Sequence, residues 1–441
     1  MSSGLRDFGT TFISRLLAML ISLGTQACLA WVLGPGGRGS YAVCMVFATL
    51  LTLVFMLGSD IACMYYVASK RFTLSEGVAQ TLVSGGLGSL VAIAVGLVLL
   101  RLPLEFAQKA DPLSLHLSLA IVPLGFYAGT FSSLFTSLRA FQWSALISVS
   151  IAACQLVLVL ALVLGLQWGV TGAVLAVIAS QVLGVAFSLV LFRRRYELKW
   201  AWPTLKGLRD TFSYGIRFYV GKVSNLLNVQ LGTVVLSMFA SREMIGLFDV
   251  ANQLTMRVTT IPDALVTILM PRVAGDPSGR RELVAQSARI TMVVCGVLLL
   301  VMGVFAPQIV SILFSSAFLP AVPLIRLLAA ATLSIATAKV FVAYLTCVNR
   351  PGIASAAIAT GVVSNVVLLV FLLPVMGLMG AAIAMAGNYL VTSVALTAAF
   401  HRLSGLGLVD VWKPRRADWS QVVDLLRSMP RRLLCALRGK G

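Results

Sequence analysis

The sequence predicts an all-α membrane protein with twelve transmembrane helices, arranged as two six-helix repeats of the same orientation. Three observations lead to this prediction: the composition, the division of the chain into twelve apolar runs, and two landmarks that recur at nearly constant spacing. Of the 441 residues, 59% are hydrophobic and only 11% are charged, whereas soluble domains are roughly half apolar and about a quarter charged. We therefore expect lipid, rather than water, to surround most of this fold.

Clusters of Gly, Pro and charged residues separate the twelve apolar runs. A helix needs about 20 apolar residues to cross a bilayer, and continuous apolar runs favour helices over the alternating strands of a barrel. The predicted spans are 10–33, 41–67, 77–100, 114–138, 144–166, 170–192, 212–239, 245–271, 288–314, 320–345, 352–374 and 378–401. They define an N-terminal lobe (1–192), a basic linker (193–211), a C-terminal lobe (212–401) and a tail (402–441).

Lysine and arginine are distributed unequally over the two sides of this map. With the amino terminus in the cytoplasm, 23 of the 34 Lys and Arg residues fall in cytoplasmic segments, and the opposite side holds Arg38, Arg101, Lys109 and Arg242. Cytoplasmic segments of membrane proteins carry such an excess. The count predicts that both termini are cytoplasmic, and it accounts for most of the formal charge of +19 without a nucleic-acid partner.

The tail alternates apolar residues with arginines at helical spacing, for example Trp419, Val422 and Leu426 with Arg427 and Arg431. This pattern is typical of an amphipathic helix on an anionic membrane face. A disordered basic tail is the alternative.

Two landmarks recur in the two halves. Gly169 to Ala176 (GVTGAVLA) matches Gly377 to Ala384 (GLMGAAIA) at an offset of 208, and the Gly39 turn (GSY) matches the Gly246 turn (GLF) at an offset of 207. Because six spans separate the copies, they have the same orientation and an axis along the membrane normal. Two such lobes favour a carrier whose central cavity opens to each side in turn. Chance recurrence of small-residue turns is the alternative.

Seven cations and three acids lie within predicted spans. A charge there costs a few kcal/mol on insertion scales, so it usually faces a cavity or a partner. The net charge of +4 favours an anionic ligand, and arginine suits phosphate oxygens. The candidates for a cationic substrate-binding cavity are Arg15, Arg217, Lys222, Arg257, Arg326 and Lys339. The seventh cation, Arg289, is expected to extend to the aqueous interface.

Four further residues are candidates for lining the cavity or binding a coupling ion, H⁺ or Na⁺: Asp60, Asp249, Gln253 and Asp263. On an ideal helix, which advances about 100° per residue, the last three share one face of the eighth span with Arg257. Neutralisation of Arg257 by Asp249, or helix-packing hydrogen bonds of Asp60 and Asp263, are the alternatives.

The sequence carries no enzyme signature. Seven cysteines are scattered without CxxC spacing or Cys/His clustering, and the two histidines, His116 and His401, lie far apart. A Walker lysine loop is absent from the sequence. We therefore predict no catalytic residue, no metal site and no bound cofactor, and a transporter rather than an enzyme.

Several short motifs resemble the polysaccharide transporters of the multidrug/oligosaccharidyl-lipid/polysaccharide exporter superfamily, which include bacterial O-antigen flippases. The resemblance covers about 400 residues. They are Leu33-Gly34-Pro35 to Tyr41, Gly58 to Ala62, Gly246-Leu247-Phe248, Met270-Pro271-Arg272, Asn349-Arg350-Pro351 and the two Gly-x-x-Gly-Ala segments.

The resemblance implies a V-shaped transporter in the bacterial cytoplasmic membrane. It would move an undecaprenyl-pyrophosphate-linked oligosaccharide from the cytoplasmic to the periplasmic leaflet for O-antigen, lipopolysaccharide or exopolysaccharide synthesis, beside polymerases and glycosyltransferases. Three alternatives stay open: a multidrug/cation antiporter of the same superfamily, a polytopic glycosyltransferase or polymerase, and a flippase for a lipid-linked peptidoglycan precursor.

Overall fold

A computed structural model describes residues 2–103, 105–196, 201–266 and 280–413, without the side chains of 2–13, 15, 217–218, 220–222, 224–229, 231 and 408. Every regular element in these ranges is helical. Eight helical segments of this part of the chain are long and apolar enough to cross a membrane. The predicted all-α membrane fold is thus confirmed, whereas the count of twelve spans stays a prediction.

The chain forms two compact units. Unit 1 contains Met1–Val223 and Ser237–Gly246. Its elements are α1 Ser2–Met56, α2 Ser59–Ala68, α3 Leu74–Arg101, α4 Glu105–Gln108, α5 Pro112–Ser118, α6 Ile121–Ser137, α7 Phe141–Val159 with the π-helical turn Leu160–Gly165, α8 Gly169–Arg195, and parts of α9 Leu205–Phe239 and α10 Arg242–Arg257.

Unit 2 contains Ser224–Leu236 and Leu247–Gly441, and so includes the remaining parts of α9 and α10. Its other elements are a helical stretch at 260–266, α11 Arg280–Val304, α12 Ala306–Leu313, the 3₁₀ turn Ser316–Ala321, α13 Val322–Cys347, α14 Pro351–Ser404 and α15 Leu408–Trp412.

Two long helices contain a non-helical glycine. Gly34 in α1 has φ 63° and ψ −177°, and Gly377 in α14 has φ 55° and ψ −132°. Glycine adopts positive φ without the clash that a Cβ would cause. The two glycines fall at the predicted boundaries between the first and second spans and between the eleventh and twelfth. Gly169, the counterpart of Gly377 in the predicted repeat, also has positive φ (54°).

Some predicted boundaries differ from the structure. The predicted second span, 41–67, is interrupted at Leu57 and Gly58, which both have positive φ. The predicted ninth span, 288–314, is replaced by α11, which begins at Arg280 and ends at Val304. A new helix, α12, starts at Ala306 because Pro307 favours the first turn of a helix and disrupts the interior of one.

Each unit has a buried aromatic cluster. In unit 1, Phe131 and Phe135 pack against Phe192, whose ring stacks on Phe135 with a centroid distance of 4.3 Å. In unit 2, Phe341 stacks on Phe400 with a centroid distance of 4.9 Å. Phe341 belongs to α13, so the cluster of unit 2 fixes the helix that carries Lys339.

A polar loop closes one end of unit 1. Asp111 caps α5: its carboxylate accepts hydrogen bonds from the Ser114 amide (2.9 Å), the Ser114 hydroxyl (2.6 Å) and the Thr171 hydroxyl (3.3 Å). These bonds, together with the nearby positive charge of Arg242, hold the pKa of Asp111 below its ordinary value. Arg242 also donates to the carbonyl of Gln108. Two cations predicted to lie opposite the cytoplasm, Lys109 and Arg242, are thus on this loop or bound to it.

Candidate functional site

A lysine, a carboxylate and a hydroxyl meet in unit 2. Lys339 Nζ, on α13, donates hydrogen bonds to both carboxylate oxygens of Asp263, each at 2.8 Å, and to Thr259 Oγ1 at 3.0 Å. The ammonium group therefore directs its donors at three acceptor oxygens. Lys339 and Asp263 are 76 positions apart, and both were predicted site residues. The structure brings them together.

Pro262 explains how Thr259 and Asp263 reach this position. Proline has no amide hydrogen and clashes with the carbonyl four residues before it, so a helix ends or kinks ahead of it. Here α10 ends at Arg257, Val258 and Thr259 form a turn, and helix resumes at 260–266. The Thr259 hydroxyl donates to the Met256 carbonyl (2.9 Å). Its oxygen thereby presents its lone pairs to Lys339.

The ion pair is accessible. The side chains of Lys339 and Asp263 are 32% and 55% exposed. Exposed pairs of this kind contribute only about 0–1 kcal/mol in water. An anion that reaches the Lys339 ammonium group can therefore displace Asp263 with only a small loss of free energy. Lys339 lies eight residues before the end of α13, which is about 12 Å along the helix axis.

Asp249, Gln253 and Arg257 follow one another at four-residue intervals on α10. Gln253 Nε2 donates to both carboxylate oxygens of Asp249, each at 2.9 Å. Asp249 is buried, whereas Gln253 and Arg257 are half-buried. Arg257 is in the last turn of α10, where the helix dipole favours a cation. The predicted polar stripe thus exists up to Arg257. Because the helix is interrupted at 258–259, Asp263 does not continue the same helical face.

Asp60 belongs to unit 1 and is buried in the first turn of α2. A carboxylate in this position is stabilised by the helix dipole. The residue before the helix, Gly58, has φ 71° and lies against the backbone of Gly215, so that no larger residue fits there. This setting agrees with the structural alternative for Asp60 as well as with an ion-binding role.

Arg326 is 13 residues before Lys339 on α13, which corresponds to about 20 Å. Its exposed side chain donates from Nε to the Gly303 carbonyl at 3.2 Å. The structure therefore does not bring Arg326 and Lys339 to one site.

The remaining three predicted cations lie in helices, Arg15 in α1 and Arg217 and Lys222 in α9. Their side chains are outside the described part of the structure, so their roles stay predictions.

For two residues, the structure adds contacts that the sequence does not predict. Arg289 reaches a segment beyond the last predicted span but is buried there: it is only 4% exposed, and Nη1 donates to the Asp410 carbonyl at 2.6 Å. A partner 121 positions away leaves no local signal. Thr259 was not among the candidates. Its place three residues before Pro262, where the helix is expected to break, is the signal that would have indicated it.

Most of the chain matches a known protein family. A family model described as "Polysaccharide biosynthesis protein" matches residues 5–275. The chain is also similar to the probable low-salt glycan biosynthesis flippase Agl15 of Haloferax volcanii. The two are 23% identical over 224 residues, which is 50% of this chain and 48% of the relative. The matched region thus spans about half the length of that curated relative.

Solved structures with the same fold cover nearly the whole chain. The lipid II flippase MurJ, in an inward closed conformation, matches with a TM-score of 0.72 and 13% identity, over 98% of this chain and 93% of that one. A multidrug resistance MATE transporter of the MOP superfamily, in an inward-facing conformation, matches with a TM-score of 0.71 and 17% identity, over 90% and 98%. At these identities the likeness shows the fold alone.

Proposed function

The chain belongs to the polysaccharide biosynthesis protein family, and we propose that it is a flippase that carries a lipid-linked glycan across a membrane by alternating access. The name of its relative Agl15 and the fold shared with MurJ support this proposal. Alternating access means that one binding site is exposed to one side of the bilayer at a time.

The observation that carries the proposal chemically is the Lys339–Asp263 pair. Lys339 sits in a candidate membrane span, Ser316–Cys347, yet its side chain is accessible. The donors that Lys339 directs at a carboxylate and a hydroxyl can equally bind two oxygens of a diphosphate. Asp263 then acts as a resident anion that neutralises Lys339 when no substrate is bound.

We propose the following finer features for this role. The substrate is an undecaprenyl-pyrophosphate-linked oligosaccharide, which moves from the cytoplasmic to the periplasmic leaflet of a bacterial inner membrane. Twelve spans in two repeats form the V-shaped transporter, with both termini in the cytoplasm. Arg15, Arg217, Arg257 and Lys339 attract the diphosphate, and Lys222 adds positive charge to the same cavity. Asp60, Asp249, Gln253 and Asp263 line it or bind the coupling ion, H⁺ or Na⁺. Polymerases and glycosyltransferases are the partners.

A multidrug/cation antiporter is the second candidate, because the fold is also shared with a MATE transporter. That function requires an acidic site that attracts cationic drugs. The balance of seven cations to three acids in the predicted spans favours an anionic substrate instead.

Reconstitution distinguishes these functions. The purified protein is placed in vesicles with a fluorescent polyprenyl-diphosphate oligosaccharide, and lectin accessibility reports transfer between leaflets. We expect faster transfer than in protein-free vesicles and no efflux of ethidium. Ethidium efflux without glycan transfer would replace the proposal with the antiporter. Elongation of the glycan from a sugar donor would replace it with a transferase.

A further inference from the structure

A cavity of about 230 Å³ lies at one end of unit 2, where four helix ends meet. Helix α11 begins there at Arg280, α13 ends at Cys347, and α14 begins at Pro351 and returns to end at Ser404. The cavity is lined by Arg280, Arg281, Tyr344, Val348, Arg350 and Leu403. None of these residues belongs to the site around Lys339.

Three guanidinium groups dominate the charge of this cavity, and the described residues that line it include no carboxylate. The four helix ends contribute two partial positive and two partial negative charges of similar size, so their dipoles largely cancel. The field inside therefore comes from Arg280, Arg281 and Arg350. Guanidinium forks match the geometry of phosphate oxygens and bind them with two parallel hydrogen bonds.

One guanidinium is positioned by the fold. Arg281 Nη1 donates to the Ser404 carbonyl at 2.7 Å, so one of its five donors is fixed at the end of α14. Arg281 and Arg350 are exposed, whereas Arg280 is half-buried. The cavity is thus lined by arginines at both its exposed rim and its interior.

Part of the cavity wall is mostly apolar. Tyr344 is 3% exposed and packs edge-on against Phe400 with a centroid distance of 4.8 Å. Val348 and Leu403 complete this wall. A water molecule occupies about 30 Å³ in the liquid, so the cavity has room for roughly seven waters. A glycerophosphate group fits this volume, with its glycerol carbons against the apolar wall.

We propose that this cavity is a phosphate-binding site, and that the phosphodiester of an anionic phospholipid occupies it. Its helix ends belong to candidate membrane spans, which places it at a membrane interface. The Lys and Arg count predicts that this is the cytoplasmic interface, where basic pockets between transmembrane helices bind anionic headgroups. Inorganic phosphate or pyrophosphate shares this chemistry and is the alternative source. The inference does not depend on the flippase proposal.

Native mass spectrometry of the full-length protein tests the site. Phosphatidylglycerol, phosphatidylcholine, inorganic phosphate and pyrophosphate are titrated separately in detergent. We expect retained phosphatidylglycerol adducts and much weaker retention of phosphatidylcholine. A variant with Arg280→Gln, Arg281→Gln and Arg350→Gln should weaken phosphatidylglycerol binding roughly tenfold or more, because charge-assisted hydrogen bonds are lost. The Lys variants at these positions should lie between it and the wild type.

A matched control removes the same charge elsewhere. Arg193, Arg194 and Lys206 are exposed in the predicted linker, and their triple Gln variant should retain wild-type binding within about twofold. If the cavity variant does not fold, Arg350→Gln alone replaces it, because Arg350 is exposed. Equal phosphatidylglycerol binding by the cavity and control variants would overturn the site. Binding of inorganic phosphate or pyrophosphate, but not phosphatidylglycerol, in an Arg350-dependent manner would overturn the lipid assignment.

Discussion

Gly39 of α1 and Gly246 of α10 pack backbone against backbone, and each faces the carbonyl of the residue four positions before the other. A methyl group at Gly39 would overlap the Arg242 carbonyl, and one at Gly246 would overlap the Pro35 carbonyl. The two contacts are equivalent, because 39 and 246, like 35 and 242, are 207 positions apart. The two-fold relation between repeats that the sequence predicts would produce such reciprocity.

This contact predicts that Gly39→Ala is strongly destabilising. The added methyl group must push apart two backbones, and overpacking of this kind costs about 1–3 kcal/mol. Thermal unfolding in detergent should show a midpoint several degrees below wild type. Gly24→Ala is the matched control, because no atom lies within 4 Å of a Cβ there and alanine favours helix. Equal midpoints for the two variants would contradict the reported contact.

Variants of the Lys339 site separate substrate binding from simple neutralisation. Lys339→Ala should lower glycan transfer in vesicles by roughly 10- to 100-fold, because a charge-assisted hydrogen bond contributes about 1.5–3 kcal/mol. Asp263→Asn should lower the KM, since the competing carboxylate is gone. Lys206→Ala, at an exposed position, is the control.

The double variant Lys339→Ala/Asp263→Asn decides between the two roles. If Lys339 binds the diphosphate, the double variant transfers glycan as poorly as Lys339→Ala. Recovery to the wild-type rate would show that Lys339 only neutralises Asp263, and would remove it from the binding site.

Asp111 gives unit 1 a pH-dependent stability. Its pKa is lower in the folded protein than in the unfolded chain, so the unfolded chain binds the proton more readily. The stabilisation is therefore complete above the unfolded pKa, near 3.9, and is lost as the pH falls through the lower folded value. The difference in unfolding midpoint between wild type and Asp111→Asn should shrink as the pH falls below the unfolded pKa. Glu105→Gln, an exposed change in the neighbouring helix α4, is the control. If the difference in unfolding midpoint grew on acidification, the lowered pKa of Asp111 in the folded protein would be contradicted.

Cysteine labelling tests the predicted orientation. In a variant without its seven native cysteines, Glu105→Cys and Arg350→Cys place single exposed thiols on the two predicted sides. We expect an impermeant maleimide to label position 105 in intact cells, and position 350 only after permeabilisation. Arg194→Cys should behave like position 350. The reverse pattern would invert the topology, and labelling of positions 105 and 350 from one side would contradict the span map.

Helix positions were largely predictable from the sequence, because apolar length is a local property. The predicted span 77–100 corresponds to α3, Leu74–Arg101, and 170–192 corresponds to α8, Gly169–Arg195. The start of α11 was missed, since Arg280, Arg281 and Glu282 read as a charged loop. These residues instead form the first helical turn, in which Arg281 bonds the Ser404 carbonyl.

Which polar groups pair could not be read from the sequence in the same way. Lys339 and Asp263 were both singled out by their cost in a bilayer, but nothing local shows that they are partners. Arg289 illustrates the same limit, because its partner, the Asp410 carbonyl, lies in a five-residue helix beyond the last predicted span.

The Lys339–Asp263 bond also bears on how the chain is assembled. During translation, Asp263 enters the chain first, and Lys339 is added 76 residues later. A lone lysine costs about 2.5–3.5 kcal/mol at the centre of an inserting helix and less towards its ends, and Lys339 lies eight residues before the end of α13. Asp263 is already present in the nascent protein and can offset this cost when α13 leaves the translocon. Because the carboxylate precedes the lysine in the sequence, the lysine has a partner when its helix inserts.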